Sequence, residues 1–324
     1  MISVLMPAYN AAKHLKPAIE SIINQSFKDF ELLVLNDGST DATKAIILDY
    51  QAKDSRVKYL ENPTNLGLTA GRNILYQNAQ FDIIAWLDSD DLAHPQRLEK
   101  QLDFLSKNKQ YAGVSCWANI IDKDGNEPPK QHYTRIKNEY LAAVSLFVNY
   151  FVISGMTMYK NSIVDKKFDV TFTPAEDYDM FVKIQEKQAL AILPEALVYY
   201  RVHSDNLTAT QSDKMKNAVL GIQKRQLEKL GFEVNTTLQN IHYAIAFGEK
   251  QPLNSIEKHL LAIKEKNLQK NIYQQKSLNF VLCHRWIKSC EKIGGFNTLV
   301  KCITSPLYQV NLHSLFLTIK VLLK

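Results

Sequence analysis

Residues 83–92, IIAWLDSDDL, run an apolar stretch straight into three acids, Asp88, Asp90 and Asp91. Carboxylates this close repel, and burying them is unfavourable without a compensating positive charge. A hard divalent cation, Mg2+ or Mn2+, supplies that charge. It takes one or two carboxylates and leaves its other positions to phosphate oxygens and water. The plainer reading is helix capping, because Asp91 stands just before a helix opening near Pro95. Capping occupies only one of the three acids.

Four further stretches carry chemistry. LLVLNDGSTD, residues 32–41, ends an apolar run in Asp37, followed by Gly38 and the capping types Ser39, Thr40 and Asp41. By itself this is good turn and N-cap chemistry. In NLGLTAGRN, residues 65–73, Gly67 can take a backbone conformation closed to other residues, and the donor fork of Arg72 can reach a phosphate or an acid. PAEDYDMF, residues 174–181, offers Glu176, Asp177 and Asp179 at the start of a helix. There they complement the dipole, or one of them takes a proton from a hydroxyl as general base. YYRVHSDN, residues 199–206, contains His203, a metal-ligand type or simply a polar strand end.

The elements around these residues alternate. Apolar strands are expected at Ile2–Met6, Glu31–Leu35, Val57–Leu60 and Ile83–Leu87, with helices over 11–24, 42–50, 70–78 and 95–107. Continuous apolar strands separated by helices imply a mostly parallel sheet covered on both faces, which binds ligands at the carboxyl ends of its strands. The first strand ends in Met6-Pro7-Ala8-Tyr9-Asn10, on the same rim as Asp37 and the Asp88 cluster. After about residue 210 the texture changes to Lys-, Gln-, Leu- and Ile-rich helical segments over 213–230, 237–248, 254–268 and 274–291. The expected organisation is a domain at 1–210 and a helical region at 211–324. Tyr140–Tyr159 has no formal charge and is long enough to span a bilayer, but it reads as a buried helix followed by a strand.

Charge divides along the same line. Residues 1–205 hold 22 Lys and Arg against 26 Asp and Glu, a net −4, and residues 206–324 hold 17 against 7, a net +10. A basic back half suits an anionic surface, or is a solvated helical surface. The 46% hydrophobic and 22% charged composition excludes a disordered chain. Four Cys with no Cys-x-x-Cys pair exclude a disulfide framework and a standard zinc site. No basic region and apolar run precede a cleavage site at the N-terminus, so a cytoplasmic location is expected.

Taken in order, MPAYN, NDGSTD, NLGLTAGRN, LDSDD, EDYDM and YRVH resemble glycosyltransferase family 2 over roughly residues 1–205. The resemblance implies an α/β fold of the GT-A type, Rossmann-like with helices on both sheet faces. It also implies metal-dependent, inverting transfer of a single sugar from a nucleotide-diphosphate sugar, most often a UDP-sugar. By the same resemblance Pro7, Ala8 and Tyr9 line the nucleotide pocket and Asp37 hydrogen-bonds the base. Arg72, Asp88 and Ser89 lie against the nucleotide sugar. Asp90 is the direct ligand of Mn2+ or Mg2+, and His203 helps to hold the metal or diphosphate. Asp177 is the base, with Glu176 and Asp179 supporting it or the acceptor. Asn36 departs from the family, which often has Asp there. The Gln-x-x-Arg-Trp motif of processive members is absent, since Leu282 precedes Arg285-Trp286 at the Gln position.

The acceptor expected is a glycan or lipid-linked hydroxyl in surface-polysaccharide, lipopolysaccharide or capsule assembly. The last segment, Asn311–Lys324, places Leu312, Leu315, Phe316, Ile319, Leu322 and Leu323 on one helical face. That face either packs on its own domain or docks the enzyme on the inner face of an anionic membrane. Cys283 and Cys290, seven apart, are expected on one buried face. Two other functions compete. A sugar-phosphate nucleotidyltransferase calls for a Gly-rich phosphate loop that MPAYNAAKH lacks. A non-catalytic nucleic-acid binder calls for aromatic residues interleaved with the basic ones, and it leaves the acidic front half unexplained, so no nucleic-acid partner is expected.

Overall fold

The computed structural model describes residues 1–126, 131–132, 136–202 and 211–322. Two compact units divide it, one of residues 1–135 and 151–218, the other of 136–150 and 219–324. The second unit thus takes an early segment, which ends midway through the uncharged stretch 140–159, as well as the helical tail. The expected single boundary at 210 is replaced by three crossings, because the 141–147 apolar run packs into the helical core rather than onto the sheet. No helix among the described residues is long and apolar enough to cross a membrane.

The first unit is built on a sheet with nine strands among the described residues. They are β1 (Ile2–Ala8), β2 (Phe30–Asp37), β3 (Val57–Asn62), β4 (Ile83–Trp86), β5 (Leu92–Ala93), β6 (Tyr111–Ile121), β7 (Gln131–His132), β8 (Thr157–Tyr159) and β9 (Ala189–Arg201). The order is β3-β2-β1-β4-β8-β6-β9-β5, with β7 beside β6. β1 pairs in parallel with β2 and β4, β2 with β3, and β6 with β9, while β5, β7 and β8 run antiparallel to their neighbours. Every residue of β1 and β2 is buried, as an apolar strand covered on both faces must be.

Helices α1 (Ala12–Ile23), α2 (Thr43–Lys53), α3 (Leu68–Asn78) and α4 (Arg97–Lys107) follow the first four long strands. α1 buries Leu15, Ala18, Ile19 and Ile22, the face its spacing dictates, against the core formed by Val4, Met6, Leu32 and Val34. α5 (Leu141–Val144) belongs to the second unit, and α6 (Glu176–Gln185) to the first. Behind β4 lies a polar network. Arg97, fully buried, donates to the Trp86 carbonyl at 2.8 Å and to Gln101 at 3.1 Å. Burial lowers its pKa to about 10.

The second unit contains α7 (Ser212–Lys229) from Val219 onward, then α8 (Thr236–Phe247), α9 (Leu253–Lys270), α10 (Gln275–Ile293), α11 (Phe296–Thr304) and α12 (Leu312–Leu322). Its core gathers Phe147, Leu227, Leu260, Ile263, Leu278, Leu282 and Trp286. Trp286 donates its indole N–H to the Cys302 carbonyl at 3.0 Å, and Arg285 donates to the Ala246 carbonyl at 3.1 Å. The Arg-Trp pair is therefore packing here. Cys283 and Cys290 are both buried on α10. His242 and His259 face each other at 2.9 Å, and burial holds their pKa values down, to about 4 and about 3.

Candidate active site

The carboxyl ends of β1, β2 and β4 meet on one rim, and the loops there are stitched by short side chains. Asn10, at φ 47°, donates its N–H to the Ser39 hydroxyl at 3.0 Å and accepts the Thr40 N–H at 2.9 Å. Asp41 accepts the Thr43 N–H at 2.9 Å and the Ala12 N–H at 3.1 Å. The Ser-Thr-Asp run after Gly38 thus acts as turn and cap chemistry. Gly38 has φ 69°, and a Cβ there would lie 2.5 Å from the Thr64 carbonyl carbon, so only glycine admits this approach. Pro7 and Ala8 end β1 buried, and the Tyr9 ring stands 49% exposed beside them.

Asp37 is buried, and its carboxylate accepts three hydrogen bonds from the chain itself. It accepts Asn62 Nδ2–H at 2.7 Å, the Leu66 N–H at 3.0 Å and the Gly67 N–H at 2.9 Å. Its role in the fold is to shape the 62–67 loop that leads into α3.

Arg72 on α3 is 3% exposed and lies between two acids. One arm donates to Glu176 on α6, and the other to Asp88 at 3.1 and 3.3 Å. Burial alone would lower its pKa. The Asp88, Glu176 and Asp177 carboxylates outweigh burial and hold it well above its ordinary value. A second tie joins α3 to the segment leading into α6, since Asn73 donates to the Phe168 carbonyl at 3.0 Å and accepts the Phe168 N–H at 2.6 Å.

The three acids after β4 separate by environment. Asp88, Ser89 and Asp90 are half-buried on the rim, and the Asp88 N–H donates to Ser154 at 3.1 Å. Asp91 points away, 1% exposed, and accepts the Arg201 N–H of β9 at 2.8 Å. Burial, then the Asp90 and Asp88 charges, push its carboxyl well above the usual range. Asp91 therefore neither caps α4, whose N-cap is Gln96, nor joins the rim, because its carboxylate is turned back into the sheet. Arg201 completes the turn by donating to the Asp90 carbonyl at 2.8 Å and the Asp122 carbonyl at 2.9 Å.

The three acids opening α6 separate in the same way. Glu176 is fully buried against Arg72, and Asp179 is fully buried with Lys183 at 2.8 Å. Asp177 alone is half-buried, and it accepts the Tyr178 N–H at 2.6 Å. Burial and the Glu176 charge push its carboxyl up to about 7, against the opposing pull of Arg72 and that N–H. His203 lies outside the described residues. Among those described, no three His, Cys, Asp or Glu side chains gather closely enough to hold a metal alone. The donor set, two neighbouring carboxylates on an open rim, fits a hard cation that completes its shell with phosphate oxygens and water.

The model of the family described as "Glycosyl transferase family 2" matches residues 3–168. The chain belongs to glycosyltransferase family 2. This glycosyltransferase is 33% identical to an uncharacterized glycosyltransferase of Methanocaldococcus jannaschii over 67% of this chain and 76% of that one. It is 27% identical to the Escherichia coli UDP-Glc:alpha-D-GlcNAc-diphosphoundecaprenol beta-1,3-glucosyltransferase WfgD, over 76% and 92%. Among solved structures it resembles S. aureus TarS 1-349 in complex with UDP-GlcNAc, with a TM-score of 0.58 and 16% identity over 96% and 93%. That likeness shows the fold, which is GT-A followed by a helical region. Arg201, Asn73 and Asp122 are site-building residues that the sequence reading left unassigned. Arg201 and Asn73 sit inside the YRVH and NLGLTAGRN stretches, and Asp122 had no signal.

Proposed function

We propose that this glycosyltransferase moves one sugar from a UDP-sugar to a hydroxyl of a glycan or lipid-linked acceptor, with inversion, in surface-polysaccharide, lipopolysaccharide or capsule assembly. The observation that carries the reading is the division of labour among the acids opening α6. Two are locked in buried ion pairs, and Asp177, half-open with a pKa near 7, is matched to proton transfer at neutral pH. The E. coli relative's name, with its UDP-Glc donor and GlcNAc-diphosphoundecaprenol acceptor, supports the substrate class.

In this mechanism Tyr9 and the loop held by Asp37 flank the nucleotide, and Ser89 and Asp88 lie against the sugar diphosphate. Arg72 holds Asp88 with one arm and Glu176 with the other, so the rim acid and the base helix keep a set spacing. Asp177 accepts the acceptor hydroxyl proton as that oxygen attacks the anomeric carbon. The bond from that carbon to the diphosphate breaks, and the nucleoside diphosphate leaves with the electron pair. One displacement inverts the configuration, whereas retention by double displacement needs a second nucleophile. Asp90, with Asp88 and His203, would hold Mn2+ or Mg2+, whose contribution is to neutralise charge on the leaving diphosphate.

The test is calorimetric titration of UDP with and without Mn2+, on the wild type and on Asp90→Ala. The expected result is metal-dependent binding that Asp90→Ala removes while the melting temperature holds. Equal UDP affinity in the variant refutes the metal assignment.

A further inference from the structure

α12 is inverted relative to an ordinary surface helix. It buries Ser314 (1% exposed) and Thr318 (7%) along with Leu317 and Val321, and turns out Leu315 (48%), Phe316 (61%) and Ile319 (58%). The inward hydroxyls are matched. Thr318 donates to the Ser314 carbonyl at 2.6 Å and lies 3.1 Å from the Tyr308 hydroxyl, and Ser314 donates to the Asn311 carbonyl at 2.9 Å. The neighbouring helix does likewise. α11 turns Cys302 and Leu299 inward, and leaves Phe296 (69%), Val300 (42%) and Ile303 (46%) exposed at helical spacing. The two helices touch where Gly295 N–H donates to the Val321 carbonyl at 3.2 Å. Val310, in the connection between them, is 79% exposed.

Charge identifies the occupant. After Glu291 the chain contains no Asp or Glu and four Lys, of which Lys301 lies 3.9 Å from Glu257 on α9 and Lys320 stands on α12 itself. Lys320 Nζ sits 5.1 Å above the Phe316 ring, a cation beside an outward aromatic. A second copy seated symmetrically on this face would set Lys320 against its twin, with no acid on α11 or α12 to pair it. An anionic bilayer meets both features, with acyl chains for Phe and Ile and headgroups for Lys.

We infer that the outward faces of α11 and α12, through Phe296, Val300, Leu315, Phe316 and Ile319, form the surface by which this enzyme lies on an anionic phospholipid membrane. The inference rests on the glycosyl-transfer reading only for its purpose, access to a lipid-linked acceptor. It relocates the attachment expected of residues 206–324 at large to two helices.

The experiment is co-sedimentation of the full chain with phosphatidylglycerol vesicles and with phosphatidylcholine vesicles. The variants are Phe316→Ser/Ile319→Ser, Phe296→Ser and, on α2, the exposed apolar control Leu48→Ser. The wild type is expected to pellet with phosphatidylglycerol and far less with phosphatidylcholine, and the control to match it. The apolar variants should bind at least about tenfold more weakly, because each removes a large side chain from the acyl boundary. Their melting temperatures and UDP affinities should hold. Variants that pellet like the wild type overturn the inference. So does a wild type that ignores both vesicles while forming a dimer that Phe316→Ser/Ile319→Ser dissolves. UDP affinity, measured on the same samples, reports on the catalytic reading separately: vesicle binding lost with UDP binding intact strikes only the membrane surface.

Discussion

The sheet rim and the α11–α12 pair depart from ordinary burial in opposite directions. At the rim, Arg72, Glu176 and Asp179 are taken out of water. On the helical pair, Phe296 and Phe316 are left in it while Ser314 and Thr318 go inside. Buried charges are tolerated only when each finds a partner, and at the rim they do: Arg72 with Glu176 and Asp88, Asp179 with Lys183. The exposed phenyl rings are covered far less, Phe316 meeting Lys320 at 5.1 Å on its own helix. The buried charges of the rim are therefore paired within the chain. For the helical pair the proposed bilayer would supply the contact that the chain does not.

Breaking the rim gives the largest effects. Asp177→Asn is expected to lower kcat by roughly 10²–10⁴ and leave UDP affinity near wild type, since asparagine keeps the size and cannot take a proton. Steady-state turnover and titration calorimetry check this, and a variant with wild-type turnover removes Asp177 from the chemistry. Arg72→Met is expected to destabilise the first unit by ~3–5 kcal/mol, because it leaves Glu176 buried beside no cation. Chemical denaturation measures this, and adding Glu176→Gln should recover much of the loss. Were the two effects simply additive, the ion pair would not be what binds α3 to α6.

The pH response of Asp177 is smaller and has a defined sign. Its folded pKa, about 7, lies above the ordinary carboxyl value, so the native state holds the proton more tightly than the unfolded chain. Stability from this group is full in acid, below about pH 4, and is lost as pH rises through 7. Asp177→Asn should therefore raise the melting temperature above pH 7 and leave it unchanged near pH 4. Scanning calorimetry at pH 4 and pH 8 shows whether the variant's gain is confined to the alkaline side.

The smallest effect sharpens the other half of the comparison. Phe316→Ser/Ile319→Ser is expected to change stability by no more than ~0.5 kcal/mol per site without membrane, as surface positions do. A large loss in thermal unfolding would mean that these side chains hold the helical unit together, and the contrast with the rim would fall.

Much of the rim was legible because strand ends announce themselves. An apolar run that stops at Asp37 or Asp88 marks both the strand and its carboxyl edge. What lies between partners was not legible. Nothing in EDYDM says which acid is open, since that depends on Arg72, 104 residues away, occupying Glu176. β6 and β9 were missed as a long parallel pair because Gly113 and Ser115 interrupt one, and Pro194-Glu195 the other. The pairing absorbs the second interruption as a register shift between Cys116–Leu193 and Trp117–Ala196. In α12 the shared face of Leu315, Phe316 and Ile319 was readable from spacing, but which way it points was not. Leu312, Leu322 and Leu323, expected on the same face, have no described side chains.

Asp37 has a kinetic consequence. Its two oxygens hold Asn62, Leu66 and Gly67, so in the nucleotide-flanking role proposed for it the segment from residue 62 to 67 would be shaped without help from a ligand. A ligand that meets this segment need not wait for a rare competent conformer, and its apparent affinity is not diluted by an inactive fraction. Nucleotides should thus be sorted by how they fit a fixed template, with differences among bases expressed in how fast each one leaves.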